Sequence, residues 1–194
     1  MDFLSFIKNE FFRPLSTLII PGGIAFAPWA ILIALNNQSI LDLVKTNNGI
    51  VITIFLSLSL VIGMLLEDLG SRIELLCDGC LYKRDPEAEN RWFNYLKLEL
   101  KDEVIGQRYL RTLLVRLKFE LAILPSITIS FIGFCILNTH INLWESSSLV
   151  IAGSLVAILD LYLGYEIWQS VQNLDMVREL IIESKEESNA NKED

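Results

Sequence analysis

The chain has 194 residues, 52% of them apolar, with a single His and three Cys. That is the composition of one compact membrane unit with a small appendage, and it leaves too few ligands for a metal cluster. The formal charge of −8 argues against nucleic acid or anionic lipid as the main partner.

Residues 1–13 place Phe3, Ile7 and Phe11 at i, i+4, i+8, with Leu4, Phe6 and Phe12 beside them and Ser5, Lys8, Asn9 and Glu10 opposite. The pattern fits either a short helix in the membrane interface or a frayed terminus leaning on lipid. No cleavable signal peptide is evident, because the first apolar run is long and lacks a small-residue cleavage site.

Four long apolar segments follow: Leu15–Leu35, Ile50–Leu66, Leu121–Leu137 and Leu149–Ile167. Each is about 25–30 Å long as a helix, enough to cross a hydrocarbon core. All of the sixteen Lys and Arg residues except Lys45 lie on one side of them. Cytoplasmic loops retain Lys and Arg, so both termini and the segment between the second and third spans are expected in the cytoplasm of a bacterial inner membrane.

The first span carries Pro21-Gly22-Gly23 and Pro28, which predict a kink or an unwound stretch. Gly23, Ala27, Ala30 and Ala34 form a small-residue stripe of the kind that lets helix backbones approach in lipid. Gly63 in the second span and Gly153 in the fourth repeat the theme. Past Glu67-Asp68 the second span keeps a helical period, with Leu69, Ile73, Leu76, Cys77, Cys80 and Leu81 on one side and Glu74 and Asp78 outside that stripe. Both cysteines then read as core residues of a helix that runs on into the cytoplasm. Reduced thiols on that side, with no His near them, speak against zinc; a redox pair stays open as an alternative.

Asp85-Pro86-Glu87 reads as a cap, a first-turn Pro and first-turn acid, opening a helix through Leu100 with Trp92, Phe93, Tyr95 and Leu96 as bulky contacts. Asp102-Glu103 restarts a helix into the third span. After that span a short outer loop holds Asn138, His140 and Asn142. Trp144 and Trp168, about 36 Å apart on a helix, mark the two interfaces of the fourth span. The helix continues with Val171, Leu174, Val177, Leu180 and Ile181, and the polar tail from Ser184 is expected to be disordered.

The expected fold is therefore all-α and polytopic. Residues 1–13 form an interfacial segment, 14–66 and 120–168 two transmembrane hairpins, 67–119 a cytoplasmic helical subdomain, 169–183 a C-terminal helix and 184–194 a disordered tail. No catalytic constellation, cofactor site or metal site is present. Asp160 is the sharpest single residue, an ionisable group within the fourth span. It either bonds Ser57, Ser59 or a tyrosine and sets helix register, or it lines a conduction path. Glu67, Asp68, Arg116 and Lys118, at one membrane depth, form either an ion-paired collar or solvated interface charges. Trp92, Tyr95, Arg108 and Arg111 are candidates for docking a partner, and Arg108, Arg111, Arg116 and Lys118 make a local basic patch.

Leu65-Leu66-Glu67-Asp68-Leu69-Gly70-Ser71-Arg72 and Gly106-Gln107-Arg108-Tyr109-Leu110-Arg111-Thr112 resemble a recurring pattern in uncharacterised bacterial four-span proteins, to which no activity attaches. In length, span number and the helical segment between the second and third spans, the chain is similar to the small membrane subunit of the Kiwa anti-phage system. That resemblance implies a membrane sensor that holds a soluble effector and assembles through its spans. The resulting expectation is a non-enzymatic sensor or scaffold, a symmetric homo-oligomer such as a tetramer, docking a soluble cytoplasmic protein in antiviral defence and binding no nucleic acid directly. An ion channel or pore effector is the alternative, and a thiol-redox protein the second.

Overall fold

A computed structural model describes residues 12–97 and 105–193, with side chains described for 17–96, 106–107 and 109–185. The expected interfacial segment lies almost wholly outside the described residues. The described elements are six helices: α1 (Phe12–Asn36), α2 (Gln38–Thr46), α3 (Asn48–Arg84), α4 (Glu87–Lys97), α5 (Ile105–Ile141) and α6 (Ser146–Glu193). Four of them, α1, α3, α5 and α6, are long and apolar enough to cross a membrane, which marks an all-helical multi-pass membrane protein.

α1 runs unbroken through Pro21 and Pro28, so the expected unwound stretch is absent. The Ser126 hydroxyl of α5 donates to the Pro21 carbonyl at 2.6 Å and ties α5 to α1 at that height. α3 is likewise continuous for 37 residues, through Gly70 and Gly79, and carries the chain well beyond its apolar span. Helix α6 continues to Glu193, whereas composition predicts a disordered tail from Ser184. Glu and Lys are good helix formers, and extending an existing helix avoids the cost of nucleation.

α1 lies between α3 and α5, and α5 also touches α3, so these three form the intramembrane core. The closest approach is between α1 and α3. A Cβ at Gly22 would stand 1.8 Å from the Ser59 carbonyl oxygen, and one at Gly63 would stand 2.1 Å from that of Leu18. Among the described side chains of α1, Pro21, Gly22, Ala25 and Pro28 are the buried positions. The expected stripe sits to one side of this contact, with Gly23, Ala27, Ala30 and Ala34 each only half-buried. Among the described residues helix α6 packs on α5 within the spans and not on α1, and none from 146 to 166 is buried.

A second core joins the charged ends of the helices. Leu81, Ala88, Leu110, Leu113, Leu117, Leu121, Ile167, Val171, Leu174 and Ile181 are buried together there. The same spacing of apolar residues at i, i+3, i+4 and i+7 builds this bundle from the extensions of α3, α5 and α6, with α4 laid against α6. At the opposite end, α2 caps the α1–α3 hairpin. The Asn37 side chain accepts from the N–H groups of Ser39 (3.1 Å) and Ile40 (3.4 Å) and so starts α2. Ile40, Leu43 and Val44 then roof an apolar cavity of about 250 Å³ lined by Ala30 and Ala34.

Candidate functional site

Asp160 is held by a helix other than the ones expected. The Thr128 hydroxyl of α5 donates to its Oδ2 at 2.8 Å, while Oδ1 is buried and has no hydrogen-bond partner. Ser57 and Ser59 are spent elsewhere, donating to the carbonyls of Thr53 and Phe55 on their own helix. This back-bonding to i−4 uses the hydroxyl protons of Ser57 and Ser59, so neither donates to Asp160. The α5–α6 pair is thus tied at mid-span by one hydrogen bond. Thr128 escaped notice in the sequence because a lone Thr in an apolar run carries no signal of its own.

The four interface charges are all ion-paired, but not with each other as one ring. Lys118 pairs with Glu67 at 3.2 Å, which joins α5 to α3. Asp68 instead pairs with Arg72 one turn on at 3.5 Å, in an exposed i,i+4 pair. Arg116 turns to α6 and bridges Glu120 and Glu166, each at 2.6 Å. Glu120 is the member that sequence reasoning missed. Its side chain is 9% exposed and its second oxygen accepts from the Ser170 hydroxyl at 2.8 Å. An acid at i+4 from Arg116 was legible as a helical pair, but its burial depends on α6 crossing at that height.

A third polar cluster locks α4 onto α6. The Asp85 side chain accepts from the Glu87 N–H at 3.0 Å and so caps α4, as its spacing before Pro86 suggests. Arg91, one turn on, grips Asp175 of α6 with two nitrogens and also reaches Asp85. The Arg91 hydrogen bond, with that from the Glu87 N–H, holds the Asp85 carboxyl below its usual range. Asp175 and then Asp85 raise the Arg91 guanidinium in turn. Arg178 of α6 lies 4.2 Å from the centre of the Trp92 ring, and Trp92 stacks on Tyr95. Trp92 and Tyr95, expected to dock a partner, are half-buried, Trp92 against Arg178 and Tyr95 against the second core. Arg111 lines a cavity beside Lys118, and the Arg108 side chain lies outside the described residues.

Large apolar side chains left open at this end include Leu75 (70% exposed), Leu76 (71%), Phe93 (50%) and Leu96 (58%), with Met176 and Leu180 of α6 (57% each). Leu76 and Cys80 thus leave the apolar stripe expected of α3, whose packed side runs Gly70, Ile73, Cys77 and Leu81. Glu74 and Asp78, expected outside it, are partly buried on that same side. The shift is one helical position, and it follows from where α5 and α6 pack. Cys77, Cys80 and Cys135 are all free thiols. Among the described residues no group of three or more His, Cys, Asp or Glu could hold a metal ion.

Near the other interface the Asn138 amide clips the loop, donating to the Trp144 carbonyl and accepting from its N–H. Trp144 meets Phe134 edge-on at 5.0 Å. Trp168 is half-buried and packs against the core of the charged-end bundle. Gly153 faces the Phe131 ring, where a Cβ would stand 3.2 Å away. No family model, curated protein or solved structure matches this chain.

Proposed function

We propose that the protein is a non-enzymatic scaffold of the bacterial inner membrane, with both termini and the charged-end bundle in the cytoplasm. It assembles as a symmetric homo-oligomer and offers that bundle to a soluble partner. Its architectural resemblance to the Kiwa membrane subunit extends the reading to a sensor in anti-phage defence. The observation that carries the proposal is the exposure of Leu75, Leu76, Phe93 and Leu96. Leu76 stands ten residues past the last apolar residue of its span, roughly 15 Å along the helix, beyond the reach of lipid tails. Apolar side chains of that size, clear of the bilayer, mark a surface for protein contact. Positive charge concentrated at the same end supports the orientation.

Co-expression with the genomic neighbours, purification in mild detergent and mass measurement test the proposal. A soluble neighbour should co-purify at a fixed ratio, and Leu76→Glu with Phe93→Glu should release it while the membrane oligomer keeps its mass. A neighbour retained by that double variant, or a monomeric scaffold, would sink the reading.

One observation favours a second reading, an ion-conducting assembly: the unpartnered Oδ1 of Asp160. A liposome flux assay separates the two. A scaffold shows no flux, whereas a channel shows flux that falls sharply with Asp160→Asn.

A further inference from the structure

We infer that the cavity between α1 and α3 beneath α2 holds one acyl chain of a phospholipid from the leaflet on the α2 side. Its origin is geometric. α1 and α3 approach most closely nearer the charged end, where Gly22 meets Ser59 and Gly63 meets Leu18. Packed helices cross at an angle and so part on either side of the crossing. Beyond the stacked rings of Phe26 and Phe55, 5.7 Å between centroids, the small side chains of Ala30 and Ala34 leave the widening gap unfilled. About 250 Å³ stays open there, roofed by Ile40, Leu43 and Val44 of α2.

Chemistry, depth and width select the occupant. All eleven lining residues are apolar, so neither water nor a polar ligand finds side-chain hydrogen-bond partners there. Phe26 is the tenth residue of the twenty-residue span Thr17–Asn36, which puts the floor of the cavity at mid-membrane. From Phe26 to Ala34 is eight residues, about 12 Å of helix, against about 15 Å for half a hydrocarbon core. The cavity therefore has the reach of one leaflet. Its open side faces lipid, since Ile33, Ile54 and Leu58 of the lining stand 48%, 47% and 41% exposed. A helix from a second copy, about 10 Å across, is too wide for the space. With no charge in the lining, the chain is recognised and the head group is not. The site stands apart from the docking face and from the orientation of the protein, and its test is independent of both.

The test uses the full chain in phosphatidylcholine vesicles doped with a phosphatidylcholine that carries a diazirine at the end of one acyl chain. After illumination, the labelled residues are mapped by mass spectrometry. Residues 26–30 and 54–58 should be labelled severalfold more heavily than 154–158 of α6, where Leu155 and Ile158, each 63% exposed, meet ordinary lipid. A phosphatidylglycerol with the same chain should give the same pattern. Ala30→Leu and Ala34→Leu fill the void, so each should cut labelling of the cavity roughly fivefold while labelling of α6 stays as it is. Ala157→Leu, on an exposed position of α6, should leave the cavity labelling unchanged. Equal labelling of the cavity and α6, a pattern that depends on the head group, or no response to either Ala30→Leu or Ala34→Leu would each overturn the assignment. So would labelling of the cavity by a diazirine-tailed alkane with none by the phospholipid.

Discussion

Thr128 and Asp160 show what one polar pair does inside an apolar bundle. Their hydrogen bond is the cross-helix tie between α5 and α6 at mid-span, and such bonds contribute about 0.5–1.5 kcal/mol in membranes. Thr128→Val should therefore lower the thermal stability of the detergent-solubilised protein slightly, and Asp160→Leu should do so by a comparable amount. If Asp160→Leu is instead silent in a melting assay while Thr128→Val is not, the hydroxyl matters for packing alone. Gly63 is less forgiving. A Cβ there would overlap the Leu18 carbonyl, so Gly63→Ala forces α1 and α3 apart at a cost of about 1–3 kcal/mol. Ala30→Leu enlarges a side chain that faces a cavity, and it should be the milder change when the two are compared by yield and melting temperature. Asp85 makes the prediction at acid pH. Its carboxyl is held below its usual range, so its contribution is present above the ordinary Asp value of about 4 and is lost as pH falls through the lower folded value. Fluorescence of Trp92, alone or with the other tryptophans replaced, should report α4 loosening in that acid window, and Asp85→Asn should flatten the transition.

Helix α4 is eleven residues long, too short to be stable by itself in water. It stands because Arg91 and Trp92 fasten it to Asp175 and Arg178 of α6. The Arg91 and Asp175 side chains are only 16% and 10% exposed, so Arg91→Met strands a nearly buried carboxylate. About 3 kcal/mol or more is lost when one partner of a buried pair is removed. Limited proteolysis should then cut near residues 84–97 while the four apolar helices stay intact. Unchanged resistance in Arg91→Met would show that apolar contacts of Ala88 and Tyr95 suffice to hold the helix. α2 is held differently, by an Asn cap and three apolar side chains laid over α1 and α3. It was legible in Asn37 followed by Ile40, Leu43 and Val44, a pattern easily passed over between two stronger apolar runs.

The whole molecule is lopsided, with three helices packed as a core and α6 applied to one side. Its orientation is tested by reporter fusions: those after Asn47 and Asn142 should read as periplasmic, and those after Lys83 and Asp194 as cytoplasmic. The inverse pattern would reverse the proposed docking face. What residue order determined by itself is the set of long helices, because apolar runs of bilayer length, with their backbone groups satisfied internally, have only that solution. The cap at Asp85 was equally local, needing only a carboxylate two residues before a helical N–H. Tertiary structure decided which faces meet. Gly22 rather than Gly23 lies at the α1–α3 crossing, a step of one residue, or 100° around a helix, and of the two cysteines expected in the core only Cys77 packs against it. It also decided that Trp92 meets Arg178 of α6 and that Glu120 is buried. Composition reports how many faces are apolar; only the crossing positions of the helices determine which of them are covered and which polar groups come within a hydrogen bond of one another.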